Sequence, residues 1–298
     1  MRIVTRPDFD GIVCAALLYE AEKIEHSTLW IQPSDIQKGL IPIKPYDIIA
    51  NLPYHKECAL WFDHHVTNQP DGAFQGSFSI APSAARVIFE YYTDRFHCNY
   101  ESLIRQTDDI DSANLTIEQI RQPERYPHVL LSMTILGNDL KEIPYWEHLT
   151  SLLRRFPVES VVADPEVAVR CREAVERNSV FKTHLLNNTR LQEHVAITDF
   201  RSMQPAPDGN RFLVYALYPE ASVSVKIRFA DPLSENLIVS VGRSILKDGC
   251  NVNIGKLLTR FGGGGHAGAG ACKFSAADGD RYIPEIINTL EENKRMGK

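Results

Sequence analysis

Short apolar runs alternate with amphipathic stretches through the first third of the chain. Ile3-Val4, Asp47-Ile-Ile-Ala-Asn51 and Cys58-Ala-Leu-Trp-Phe62 are brief and rich in β-branched or aromatic residues, and they predict buried strands. Gly11 to Ile24, rich in Ala and Leu, and Ser83 to Tyr92, with Ser83 placed as a cap, have helical patterns. This alternation predicts a mostly parallel sheet covered by helices on both faces. From about Leu103 to Asn188 the pattern is nearly all helical and ends in a long run from Pro165. The period then shortens. His194 to Phe200, Arg211 to Leu217, Val223 to Phe229 and Leu237 to Val241 predict strands, with the turn-rich Pro205-Ala-Pro-Asp-Gly-Asn210 between the first two. Helices are expected near Val252 to Phe261 and Tyr282 to Asn293. The change of pattern puts a boundary at 188–193, giving two expected domains, 1–190 and 191–298.

Composition narrows the function classes. The 298 residues carry a net charge of −6, with 44% apolar and 23% charged residues, the balance of an ordinary globular protein. The acidic excess argues against broad binding of long duplex nucleic acid, while a local basic patch remains compatible with a phosphorylated ligand. No apolar run reaches the roughly 18 residues needed to span a bilayer. The opening Met1-Arg-Ile-Val-Thr5 goes straight into a strand-like run without a signal-peptide core. Six scattered cysteines without a Cys-x-x-Cys pair fit a reduced, cytoplasmic protein, and that localisation is the expectation.

Three segments carry candidate chemistry. Asp63-His64-His65 ends the apolar run from Cys58, which delivers three metal-capable side chains to a sheet edge. Successive strand residues face opposite ways, so one imidazole can bind a metal while its neighbour reaches substrate or a supporting group. A hydrogen-bonded pair without a metal is the plainer alternative. Pro7-Asp8-Phe9-Asp10-Gly11 joins the first strand to the first helix, where open α/β sheets bind ligands. Two carboxylates there suit one or two hard cations, although either could simply cap the helix. Phe261-Gly-Gly-Gly-Gly-His-Ala-Gly-Ala-Gly-Ala271 satisfies Gly-x-Gly-x-x-Gly from Gly263 to Gly268, yet it follows a helix-like run, so a dinucleotide fold fails on context. Exposed backbone N–H groups beside a His suggest an anion cradle, and a flexible loop is the alternative. Upstream, Arg243-Ser244 closes a strand with a guanidinium and a hydroxyl suited to phosphate.

Together these segments resemble the DHH phosphoesterase superfamily. Asp8-x-Asp10 matches its first motif and Asp63-His64-His65 its naming motif. Arg243-Ser244 through Gly263-Gly-Gly-His266-x-x-Ala269-Gly270 looks like the DHH-associated C-terminal domain. Bacterial proteins labelled exopolyphosphatase-related are the most similar members, and the family also holds pyrophosphatases, oligoribonucleases, cyclic-dinucleotide phosphodiesterases and single-strand exonucleases. The resemblance implies an α/β fold: a parallel-sheet α/β/α domain, a smaller α+β domain, and an active-site cleft between them. It also implies a manganese-dependent phosphohydrolase, with one or two Mn²⁺ and with Mg²⁺ or Co²⁺ as substitutes. Carried over by position, Asp8 would serve a first metal, and Asp10 and His64 a second. Asp63 would orient the site and His65 would face the phosphate. A later ligand is expected within Gln106-Thr-Asp108-Asp109-Ile-Asp111, with Asp108 favoured and Asp111 as support. Arg243, Ser244, Gly263, Gly264, Gly265 and His266 would hold the rest of the substrate.

Two positions depart from the family pattern. Val4, Thr5 and Arg6 stand where a histidine usually precedes the first aspartates, and Asn51 stands where a bridging aspartate is expected. Asp10, His64 and Asp108 alone would still form a one-metal site, and His55 is a spare ligand candidate. Arg6 could bind the phosphate directly in place of a lost cation. The expected function is therefore a metal-dependent phosphohydrolase cleaving phosphoanhydride or phosphodiester bonds. Its partners would be polyphosphate, a short oligonucleotide or a dinucleotide. A catalytically weak nucleotide or phosphate sensor is the alternative, and a single-strand binder finds little support in the sequence.

Overall fold

In the computed structural model, residues 1–137, 139–231, 233 and 235–294 are described. They form two compact units, residues 1–114 with 123–174, and 115–122 with 175–298.

The first unit is built on β1 (Arg2–Thr5), α1 (Phe9–Ala21), β2 (Leu29–Trp30), α2 (Pro33–Gln37), β3 (Asp47–Ala50), β4 (Leu60–Asp63), β5 (Gly76–Phe78), α3 (Ala84–Tyr91) and α4 (Glu101–Asp111). The short α5 (Ile117–Arg121) belongs to the second unit. α6 (Pro127–Ser132), α7 (Ile143–Leu153), α8 (Val158–Val161) and the start of α9 (Pro165–Asn188) complete the first. The strands are all parallel in the order β2-β1-β3-β4-β5. Every residue of β3 is buried, as expected of a strand covered on both faces. β4 is fixed at its centre by Trp61, fully buried, which stacks on Phe78 at 5.6 Å and donates from Nε1 to Leu52 O at 2.9 Å.

The second unit contains β6 (Thr189–Gln192), β7 (Val195–Asp199), α10 (Leu213–Leu217), β8 (Val223–Phe229), β9 (Asn236–Arg243), α11 (Ile254–Thr259), β10 (Gly264–His266), β11 (Ala269–Ser275) and α12 (Gly279–Glu292). Its sheet runs β10-β11-β9-β8-β7-β6, with only β7 and β8 parallel. Parallel α/β and mixed α+β architecture are therefore both present as expected. The units part within α9 because Phe181 and Leu185, on its C-terminal half, are buried with Ala196, Phe200 and Leu213 of the second unit. The division of 1–190 from 191–298 stays a proposal. No helix among the described residues is long and apolar enough to cross a membrane.

One expectation needs correction, and one alternative falls away. Arg211 to Leu217 is not a strand: Leu213–Leu217 forms α10, and Tyr215 Oη donates to Gly242 O at 2.6 Å, an anchor that the local apolar pattern could not reveal. The glycine run is not a loose loop either, since Gly264, Gly265 and His266 pair in register with Ala271, Gly270 and Ala269. Gly265 has φ +147°, and a Cβ on it would sit 2.3 Å from Ala269 O, so only glycine permits this close hairpin.

Candidate functional site

The carboxyl ends of β1, β3 and β4 lie side by side in the sheet, and each carries one of the singled-out segments. β1 runs into Arg6-Pro7-Asp8, β3 leads into Asn51, and β4 ends at Asp63, followed directly by His64-His65. The turn from β1 into α1 is tight: a Cβ on Gly11 would meet Arg6 O at 1.9 Å. Asp8 caps α1, accepting from Gly11 N at 2.9 Å. The capping alternative is thus real for Asp8, and it leaves Asp10 for other work.

Asp10 is buried in the first turn of α1. Its two oxygens accept from Ala84 N at 2.9 Å and Ala85 N at 2.8 Å, buried donors in the first turn of α3 that have no partner within the helix. Burial, with the neighbouring Asp8 charge, nevertheless raises its pKa to about 7. Asp111, at the end of α4, is raised to about 7 by burial and then by Asp10. Asp8 is raised as well, mainly by burial. Carboxylates this reluctant to ionise together invite a cation.

His64 completes the group. Its Nδ1 lies 2.9 Å from Ala81 O, which only accepts, so Nδ1 donates there and the ring turns Nε2 toward the carboxylates. That Nε2 sits 3.2 Å from Asp111 Oδ2, on a side chain with 10% exposure, yet makes no hydrogen bond. A buried imidazole nitrogen and a carboxylate oxygen that face each other without a hydrogen bond are an arrangement that a divalent ion resolves. Ligand atoms of Asp10, His64 and Asp111 all lie within 4.8 Å of one another. Asp63, His64 and His65 also meet that distance, but Asp63 Oδ1 is already engaged by three N–H groups. They come from His64 N at 2.8 Å, His65 N at 3.3 Å and His65 Nδ1 at 2.8 Å, while Oδ2 accepts from Asn68 Nδ2 at 2.7 Å. Asp63 thus holds the two histidines in place, and its hydrogen bond raises the pKa of His65.

Of Asp108 and Asp111, both on α4, Asp111 lies with Asp10 and His64 in the ligand group, and Asp108 does not. Asp108 accepts from Ser83 Oγ at 2.7 Å and from Arg86 Nε and Nη2 at 3.0 and 2.6 Å, an internal ion pair that occupies both its oxygens. Asp109 accepts from Asn114 Nδ2 at 2.9 Å, away from the group. His55 lies in the turn after Pro53, with Nδ1 accepting from Glu57 N at 3.4 Å, and joins no ligand group among the described residues.

Around Asp8 the picture differs. Oδ1 accepts a second bond, from Asn51 Nδ2 at 3.0 Å, and Oδ2 pairs with Arg6 Nε at 3.0 Å. Asn51 holds a left-handed φ of 55°, a conformation Asn tolerates better than most residues.

In the second unit, Arg243 closes β9. Its Nη2 donates to Val252 O at 2.7 Å, while its buried Nε has no partner. Ser244 Oγ accepts from Leu246 N and Lys247 N at 3.1 and 3.2 Å, which commits it to a turn. His266 Nδ1 accepts from Gly268 N at 3.2 Å. Gly263 lies against β11, where an added Cβ would meet Ala271 O at 2.3 Å. Backbone contributors at 81, 84 and 85 were missed by side-chain reasoning; the helix cap at Ser83 was the available signal.

No protein-family model matches the sequence, and no curated protein does. Solved structures do. The pGpG-specific phosphodiesterase PggH from Vibrio cholerae is 31% identical over 98% of this chain and 99% of its own, with a TM-score of 0.86. An exopolyphosphatase-related protein from Bacteroides fragilis is 13% identical over 98% and 92%, at TM-score 0.55. RecJ from Thermus thermophilus, in complex with Mn²⁺, is 12% identical over 98% and 52%, also at 0.55. The last two share the fold alone.

Proposed function

The chain belongs to the DHH phosphoesterase superfamily, and from that premise we propose that it is a divalent-metal-dependent phosphodiesterase acting on a small linear dinucleotide of the pGpG kind. The observation that carries the chemistry is the unpartnered, buried His64 Nε2 facing Asp111 Oδ2 at 3.2 Å beside Asp10. Two carboxylates and an imidazole suit Mn²⁺ or Mg²⁺. Such an ion, when bound, supplies charge at the phosphoryl oxygens and lowers the pKa of a coordinated water. The likeness to a pGpG phosphodiesterase over nearly the full length of both chains supports the substrate class.

Each residue has a distinct part in this reading. Asp10, His64 and Asp111 hold the ion. Ala81 O fixes the His64 tautomer, and the start of α3 steadies the Asp10 carboxylate. His65, held through Nδ1 by Asp63 and favoured in its protonated form, can donate to a phosphate oxygen or a leaving oxygen. In the second unit, Arg243 and His266 are assigned to substrate phosphate, with Gly263, Gly264 and Gly265 shaping the backbone beside them.

Asp63→Asn keeps the shape of Asp63 but can place an NH2 donor against the donors around it. Mn²⁺ affinity should fall by about tenfold to a hundredfold, as for other groups that orient ligands. Calorimetric titration reads this directly, and an unchanged affinity would remove Asp63 from that role.

The decisive assay measures product release with Mn²⁺ from pGpG, longer oligoribonucleotides, polyphosphate and pyrophosphate. Turnover confined to the dinucleotide is expected. Turnover of polyphosphate alone would overturn the substrate class. Tight dinucleotide binding without turnover would favour a sensor, the second reading, which the Arg6–Asp8 ion pair supports.

A further inference from the structure

Two carboxylate positions lie next to each other at the first helix, and they are completed in opposite ways. Asp10 shares its surroundings with Asp111 Oδ2 and with His64 Nε2, a buried atom that makes no hydrogen bond. Asp8, two residues away, is satisfied by the protein itself. Gly11 N and Asn51 Nδ2 donate to its Oδ1, and Arg6 Nε forms an ion pair with its Oδ2 at 3.0 Å. A carboxylate at position 51 would oppose Asp8 at this distance and call for a cation between them. The amide instead donates, so the pair closes without an ion. The guanidinium adds a permanent positive charge where a cation beside Asp8 would have to sit.

We propose that this chain holds a single divalent ion, at Asp10, His64 and Asp111, and that the Arg6 guanidinium takes the place of a second cation by binding the substrate phosphate. Arg6 is suited to the task because only its Nε is committed among the described residues. The side chain is 41% exposed, so its terminal nitrogens are open to a phosphate, and the ion pair with Asp8 holds the guanidinium beside that carboxylate. Asn51 acts through Asp8 as a positioning residue: its donated bond keeps the Asp8 carboxylate turned toward Arg6. The role of Arg6 toward phosphate rests on the phosphodiesterase reading, whereas the number of ions does not.

The test begins with metal content. Protein loaded with Mn²⁺ and dialysed should carry one ion per chain by elemental analysis. Its electron paramagnetic resonance spectrum should show the hyperfine pattern of an isolated ion, not that of an exchange-coupled pair. Two ions per chain would overturn the proposal whatever the enzyme hydrolyses. Asn51→Asp combined with Arg6→His should admit a second ion, and the coupled spectrum should appear. Should that double variant fail to fold, Arg6→Met, a change at a partly exposed side chain, keeps the question open to measurement. It should leave the single Mn²⁺ in place and weaken pGpG binding by about tenfold or more, the weight of a charge-assisted contact. Arg6→Lys should recover only part of the loss. Binding unchanged in Arg6→Met would refute the role of Arg6, and absence of turnover in every variant would count against the enzyme reading alone.

Discussion

His64→Ala should reduce turnover of the preferred substrate by about a thousandfold or more, the scale of several kcal/mol of transition-state stabilisation lost with a metal ligand. Asp111→Ala should behave alike. Asp108→Asn is the informative contrast. Asp108 faces Ser83 and Arg86, so its loss strikes the packing of α3 on α4 and leaves a partly buried guanidinium short of its partner. Breaking such a pair costs about 3 kcal/mol of stability, while Mn²⁺ binding should persist near the wild-type value. Kinetics, calorimetry and thermal melting of the three variants separate the two aspartates. An Asp108→Asn protein that folds normally yet binds no metal would reverse the assignment.

The metal-free protein should lose stability as pH rises, against the usual trend for carboxylates in ion pairs. Asp10 and Asp111 keep their protons to about pH 7 in the folded chain, from an ordinary value of 3.8. Between those limits the folded state holds more protons than the unfolded one, so the free energy of unfolding falls with rising pH. The stability is fully present below about pH 4 and is lost through about pH 7. For Asp10 alone the difference is on the order of 4 kcal/mol. The two do not add, because part of the Asp111 shift is its repulsion by Asp10. His65, raised through Asp63, acts in the same sense, and His128, lowered by burial, in the opposite one. Saturating Mn²⁺ replaces the protons and should flatten the curve, so the gain in melting temperature from Mn²⁺ should grow from about pH 5 to pH 8. A metal-free melting temperature that is level or climbs across that interval would contradict the raised values.

The sequence revealed the site's frame more fully than its closure. Apolar runs ending at Thr5, Asn51 and Phe62 predicted parallel strands, the rule that such sheets bind ligands at their carboxyl ends pointed to Asp8 and Asp10, and the family resemblance joined Asp63-His64-His65 to them. The hidden part depends on contacts far apart in sequence. Nothing local to α4 distinguishes Asp108 from Asp111; the distinction is made by Arg86, 22 residues upstream. The grip on Asp10 comes from backbone at 84 and 85, which has no side-chain signature. Arg211 to Leu217 misled because a short apolar run is equally a strand or a buried helical turn, and Tyr215 decides the matter through Gly242. The glycines from 263 onward marked a special backbone correctly, but pairing with β11 makes it a hairpin.

Asp63 gathers the backbone or side chains of residues 64, 65 and 68 around one carboxylate. This knot is closed within a few consecutive residues, so it travels as a cassette: its geometry needs an unbroken chain from 63 to 68 but little from the residues beyond. The exposed Asp71, Gly72 and Ala73 lie past its end, before Phe74 returns to pack on Trp61. A circular permutation opened there leaves the cassette whole, whereas a single inserted residue between His65 and Asn68 would untie it.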